Sequence, residues 1–154
     1  DFMAPQWIDA MPLQHPFSMS AKVQYASKQV PSSEQFTTTG ASANRGFEPG
    51  IFSGDTAFAL SLEQAVDWPT NLSQHPQKIS LRPFVFFDYS YGELNQSENL
   101  SARFQSAGLG FKAAYENFAN ALVTVGYPLD HNLSGQMDLD LQGPTIYAHL
   151  NLSF

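Results

Sequence analysis

Apolar and polar residues alternate with a period of two in six separate stretches of this chain. FSMSAKVQY, residues 17–25, sets Phe17, Met19, Ala21, Val23 and Tyr25 against Ser18, Ser20, Lys22 and Gln24. In residues 57–66, Phe58, Leu60, Leu62 and Val66 oppose Ser61 and Glu63. In residues 79–91, Ile79, Leu81, Val85, Phe87, Tyr89 and Tyr91 oppose Ser80, Arg82, Asp88 and Ser90. Residues 103–116 put Leu109, Phe111, Ala113 and Tyr115 against Ser106, Gly108, Gly110, Lys112 and Glu116. Residues 118–127 set Ala119, Ala121, Val123, Val125 and Tyr127 against Asn120 and Thr124. The chain ends in TIYAHLNLSF, where Ile146, Ala148, Leu150, Leu152 and Phe154 alternate with Tyr147, His149, Asn151 and Ser153. Successive side chains of a strand point to opposite faces, so the pattern predicts six strands, each with one apolar face. Helices have almost no claim on it.

Two architectures produce such strands. A soluble sandwich turns its apolar face inward and its polar face to water. An outer-membrane barrel turns the apolar face to lipid and the polar face to the lumen. Strand length favours the barrel, because a tilted membrane strand needs about 9–11 residues. Tyr25, Tyr89, Tyr91, Tyr115, Tyr127 and Phe154 lie towards apolar-face ends, as an interfacial girdle requires. The connections alternate: Glu116–Asn117 reads as a tight turn, whereas 28–54 and 128–143 read as long loops, although 67–77 is longer than that habit suggests.

Composition removes other classes. Seven Lys plus Arg against fourteen Asp plus Glu gives no electrostatic grip on nucleic acid. The absence of cysteine excludes disulfide scaffolds, thiol catalysis and Cys-based zinc sites. Asp1 and Pro5 interrupt any leader-like apolar run, and no stretch reaches the length of a membrane helix. His15, His75, His131 and His149 are scattered without metal-ligand spacing. No nucleophile elbow, phosphate loop or zinc-protease motif occurs. Neither an enzyme nor a metal or cofactor is expected.

One loop stands out. ASANRGFEPGIFSGD, residues 41–55, carries Arg45, Gly46 and Phe47, with Phe52 close behind, among glycines that permit conformations closed to other residues. The longer run SSEQFTTTGASANRGFEPGIFSGDTAFALSLEQ, residues 32–64, resembles the Arg-Gly-Phe/Tyr loop region of two-partner-secretion transporters, the haemolysin-activator family that includes ShlB, FhaC and HecB. LRPFVFFDYSYGEL, residues 81–94, resembles the strand that follows, and Phe154 resembles the aromatic sorting signal of outer-membrane proteins.

The resemblance implies a sixteen-stranded outer-membrane β-barrel of which residues 1–154 hold the last six strands. Residues 1–16 would be an inter-strand lead-in and 28–54 a loop folded into the lumen, with POTRA domains and earlier strands absent. It implies that Arg45 contacts the inner wall, with Asp88 as its partner. The face count independently turns Asp88 to the polar side, and a guanidinium offers a carboxylate a planar fork. Asn44 stands where relatives commonly carry an aliphatic residue, Thr39 where they carry glycine, and Tyr89-Ser90 where a small pair is usual. The implied partners are a secreted exoprotein, outer-membrane lipid, the outer-membrane assembly machinery, and the remaining strands or another chain. Two alternatives stay open: an interaction protein completing a barrel with another chain, and a soluble β-sandwich binding module.

Overall fold

A computed structural model of the protein describes residues 16–68, 79–95, 100–115, 118–134 and 143–153. Among these residues eight strands form in chain order: β1 (Phe17–Gln24), β2 (Phe36–Thr37), β3 (Ser53–Gly54), β4 (Thr56–Ala65), β5 (Ile79–Leu94), β6 (Leu100–Tyr115), β7 (Ala119–Leu133) and β8 (Thr145–Leu152). Six of them build one antiparallel meander in the order β1-β4-β5-β6-β7-β8, and β2 and β3 form a separate two-stranded ladder. The fold is all-β, as the alternation predicts.

Register sorts the faces. Met19 pairs with Leu62, Leu62 with Phe87 and Phe87 with Ala107; Val85 pairs with Leu109, Leu109 with Val125 and Val125 with Ile146. Partners across an antiparallel ladder share a face. Leu60, Leu62, Val85, Phe87, Leu109, Val123, Val125, Leu150 and Leu152 therefore lie together, and Ser61, Glu63, Asp88, Lys112 and Thr124 lie opposite. No second sheet covers the apolar face among the described residues. Leu109 is 65% exposed and Leu150 64%. A sandwich core would bury these residues, whereas a wall facing lipid leaves them bare. The polar face carries the β2–β3 ladder: Thr38 and Phe52 beside it press on the position of Gly92, inward on β5.

Three details differ from the expected layout. β7 runs on to Leu133, so the first six residues of the expected 128–143 loop are strand. A bulge allows this: Gln105 pairs with Asp130 but Ser106 with Pro128, which leaves Leu129 as the extra residue. A proline lacks the ladder donor and is tolerated where the ladder is already interrupted. β5 and β6 likewise extend to Leu94 and back to Leu100. The third concerns the polar face, which is not uniformly polar. Phe84, Phe86 and Phe104 share the parity of Asp88 or Ser106 and are buried there. The Phe86 and Phe84 rings lie over their cross-strand partners Gly108 and Gly110, where an added Cβ would stand 2.5 and 2.0 Å from the ring tip. Residues 1–15, the Glu116–Asn117 turn and Phe154 fall outside the described residues.

Candidate functional site

The connection between β1 and β4 does not extend away from the sheet. It turns back over the polar face and touches all six strands. The β2–β3 ladder, continued by the Thr38 N–H to Phe52 carbonyl bond (3.0 Å), narrows it to a hairpin. Its tip is closed by Gly40 N–H to the Asn44 carbonyl (2.9 Å) and Ala43 N–H to the Gly40 carbonyl (3.1 Å). Gly40 has φ +99°, a conformation that side chains disfavour. Of the other loop glycines, Gly50 also has positive φ, whereas Gly46 and Gly54 are needed for space. A Cβ on Gly46 would stand 2.2 Å from Ser106 Cβ, and one on Gly54 2.8 Å from the Glu93 nitrogen.

The tip delivers Arg45 to β4 and β5. Arg45 Nε donates to Asp88 Oδ2 at 2.8 Å and Nη2 to Asp88 Oδ1 at 2.8 Å, a bidentate fork, and the Arg45 backbone N–H adds a third bond to Oδ2 at 3.0 Å. Nη2 also donates to Ser61 Oγ at 2.7 Å, and Nη1 to Glu63 Oε1. Glu63 in turn accepts from Lys112 Nζ at 2.8 Å. Two cations and two carboxylates thus form one neutral cluster. The guanidinium carbon lies 3.7 Å from the Phe86 ring centroid, so the ring face supplies the remaining wall. Asp88 is fully buried and the Arg45 side chain only 11% exposed. This pair is therefore buried and not solvated. Exposed pairs contribute at most about 1 kcal/mol, but breaking a buried one leaves an uncompensated charge and costs about 3–5 kcal/mol unless water reaches it.

On the far side of the tip the contacts are neutral. Asn44 is completely buried. Its Nδ2 donates to the Phe104 carbonyl (3.1 Å) and Ser90 Oγ (3.3 Å), and its Oδ1 accepts from Ser106 Oγ (2.6 Å). Ser106 Oγ also accepts from Gly46 N–H at 3.1 Å. The departures Asn44 and Ser90 are thus bonded to each other, and Thr39 Oγ1 accepts from Ile51 N–H at 3.1 Å. Phe47 is buried against Phe104, their centroids 5.0 Å apart, with Ala102, Ile51, Phe52 and Leu133 around them. Burying a ring of that size contributes roughly 1.5–3 kcal/mol. Phe52 is half-buried over Gly92.

The structure therefore brings Arg45, Gly46, Phe47 and Asp88 into one place. Sequence reasoning missed Asn44 and Ser106 as anchors, Glu63 and Ser61 as further acceptors, and Phe86 as the ring under the guanidinium. For Phe86 the signal existed, because strand parity alone sets it beside Asp88. Phe154 has no described placement.

A family model described as haemolysin secretion/activation protein ShlB/FhaC/HecB matches residues 6–113, more than two thirds of the 154-residue chain. No curated protein and no solved structure gives a match. The match spans both the loop with Arg45 and the strand with Asp88, and the chain belongs to the ShlB/FhaC/HecB family of haemolysin secretion/activation proteins, outer-membrane transporters of two-partner secretion.

Proposed function

We propose that this chain supplies six wall strands and the lumen loop of an outer-membrane pore through which an unfolded exoprotein is secreted. The apolar face meets lipid, the polar face lines the passage, and the loop seated by Arg45 is a gate or guide. The observation that carries this reading is the bidentate Arg45–Asp88 fork at the tip of a loop laid across all six strands. A loop with no task inside the barrel has no reason to place a charged side chain against a buried carboxylate. Phe154 would act as the sorting residue for the assembly machinery.

The test is secretion of the cognate exoprotein by Arg45→Ala and Arg45→Lys variants of the assembled transporter, with heat-modifiable migration as the assembly readout. Both variants are expected to secrete poorly and assemble normally. Once the loop lifts, water reaches Asp88, which limits the cost to the docking energy. Lysine keeps the charge but cannot form the fork. Normal secretion by both variants sinks the gate.

A second reading has its own observation. β1 pairs only with β4 and β8 only with β7 among the described residues, so two backbone edges are free. Free edges are intolerable in lipid, where each unsatisfied group costs several kcal/mol. Strands of another chain could close them. The particle mass in detergent separates the two readings, since a closed single-chain barrel has the mass of one polypeptide.

A further inference from the structure

The last strand takes part in seating the loop. Tyr147 Oη donates to the Phe47 carbonyl at 2.7 Å, and Thr145 Oγ1 donates to the Gly46 carbonyl at 3.2 Å. Both residues belong to β8, on the face shared with Thr124 and Gly126. Between β8 and the charged cluster, the loop backbone rests directly on β7. A Cβ on Gly126 would stand 2.3 Å from the Arg45 carbonyl oxygen and 2.8 Å from the Gly46 nitrogen. The tip is thus held from two sides, by a guanidinium pulled towards β4 and β5 and by two carbonyls held from β8.

Among the described residues β8 has one ladder partner, β7. Its ladder with β7 runs only from Gly126–Thr145 to Ala119–Leu152. Apart from that ladder, among the described residues it bonds to the rest of the molecule through the two loop hydroxyl contacts and, at its far end, Ser153 N–H to the Phe118 carbonyl (2.8 Å). The loop therefore supplies β8 with anchoring that bypasses β7.

We propose that Tyr147 and Thr145 are positioning residues that couple docking of the Arg45 loop to the placement of β8, so that releasing either loosens the other. This rests on the reading of the loop as a seated, releasable element. Coupling between two sites is reciprocal, which makes it testable from both ends. A merely structural tyrosine would steady β8 without responding to a change at Arg45.

The measurement is hydrogen exchange of peptides from the assembled transporter in detergent or nanodiscs. Tyr147→Phe removes one hydroxyl and keeps the ring, so migration should stay heat-modifiable. Exchange across residues 40–50 should rise about fivefold, the factor set by one net hydrogen bond. Arg45→Lys should raise exchange across 145–152, although no Arg45 side-chain bond reaches β8. If Arg45→Lys frees 40–50 and leaves 145–152 as in the parent, the coupling is wrong. If Arg45→Lys frees neither segment, the charged seat itself is wrong, and Tyr147→Phe decides alone: a rise across 40–50 upholds the clasp and no rise overturns it.

Discussion

The two faces of this sheet are built to different tolerances. On the apolar face, which in the proposed pore meets lipid, Leu62, Phe87, Leu109 and Val125 would need only be apolar, because lipid adapts to any of them. On the polar face, Gly126, Asp88, Ser90 and Ser106 meet a folded loop, and each is fixed by an atom a few ångströms away. Substitutions should therefore sort by chemistry on one face and by shape on the other.

The largest expected effect tests the apolar face. Leu109 lies mid-strand between Val85 and Val125. Leu109→Arg should cost about 2–4 kcal/mol of assembly, the depth-dependent penalty for a cation near the bilayer midplane. Leu109→Phe should cost little. Folding into vesicles under a urea gradient measures both. Equal tolerance of arginine and phenylalanine would deny that this face meets lipid.

Next comes a substitution that changes shape with no change in polarity. Gly126→Ala adds one methyl group, which would collide with the Arg45 carbonyl oxygen. Backbone cannot yield as a side-chain tip can, so the loop should lose about 1–3 kcal/mol of docking while the sheet still assembles. Exchange across 40–50 would report it. An unaffected loop would show that the tip does not rest on β7.

Asn44→Ala should be smaller, about 1–2 kcal/mol, because it strips a partner from Ser106 and Ser90 without adding bulk. Asn44→Leu should be no better than alanine, since the site offers hydroxyls and a carbonyl. A leucine variant that docks as tightly as the parent would mean that the polar network contributes nothing beyond volume.

This contrast explains what was legible. Strand parity is local, so six strands and both faces could be read from residues such as Leu109 and Asp88 alone. Parity also contained Phe86 on the polar face, where an aromatic is not expected. The Arg45–Asp88 pairing came through a family resemblance, since nothing local links positions 43 residues apart. Tyr147 and Thr145 were invisible because they recognise backbone carbonyls, which leave no mark on the partner's sequence. Asn44 looked like a departure until its bond to Ser90 showed that the two belong together. The extension of β7 past Pro128 was missed because a proline ordinarily ends a ladder, and only the bulge rescues it.

The smallest effect concerns the base of the loop. Asp55, enclosed where the loop rejoins β4, accepts Val30 N–H (3.1 Å) and Gln35 Nε2 (3.0 Å) on Oδ1 and Asn95 N–H (2.7 Å) on Oδ2. Burial disfavours its charge, but these three hydrogen bonds outweigh burial and hold the carboxyl below its ordinary range. A depressed carboxyl contributes stability above its unfolded pKa of about 3.9 and loses it as pH falls through the folded value. Segment 26–35 should therefore exchange uniformly, after correction for intrinsic rates, from neutral pH down to about 5 and loosen only below about 4. Asp55→Asn replaces one acceptor oxygen with a donor at every pH, so that variant should be loose already at neutral pH and show no further acid step. An acid step that survives in Asp55→Asn would assign the loosening to another group. A step confined to 26–35, with 40–50 unmoved, would show that the base and the tip of the loop are held independently.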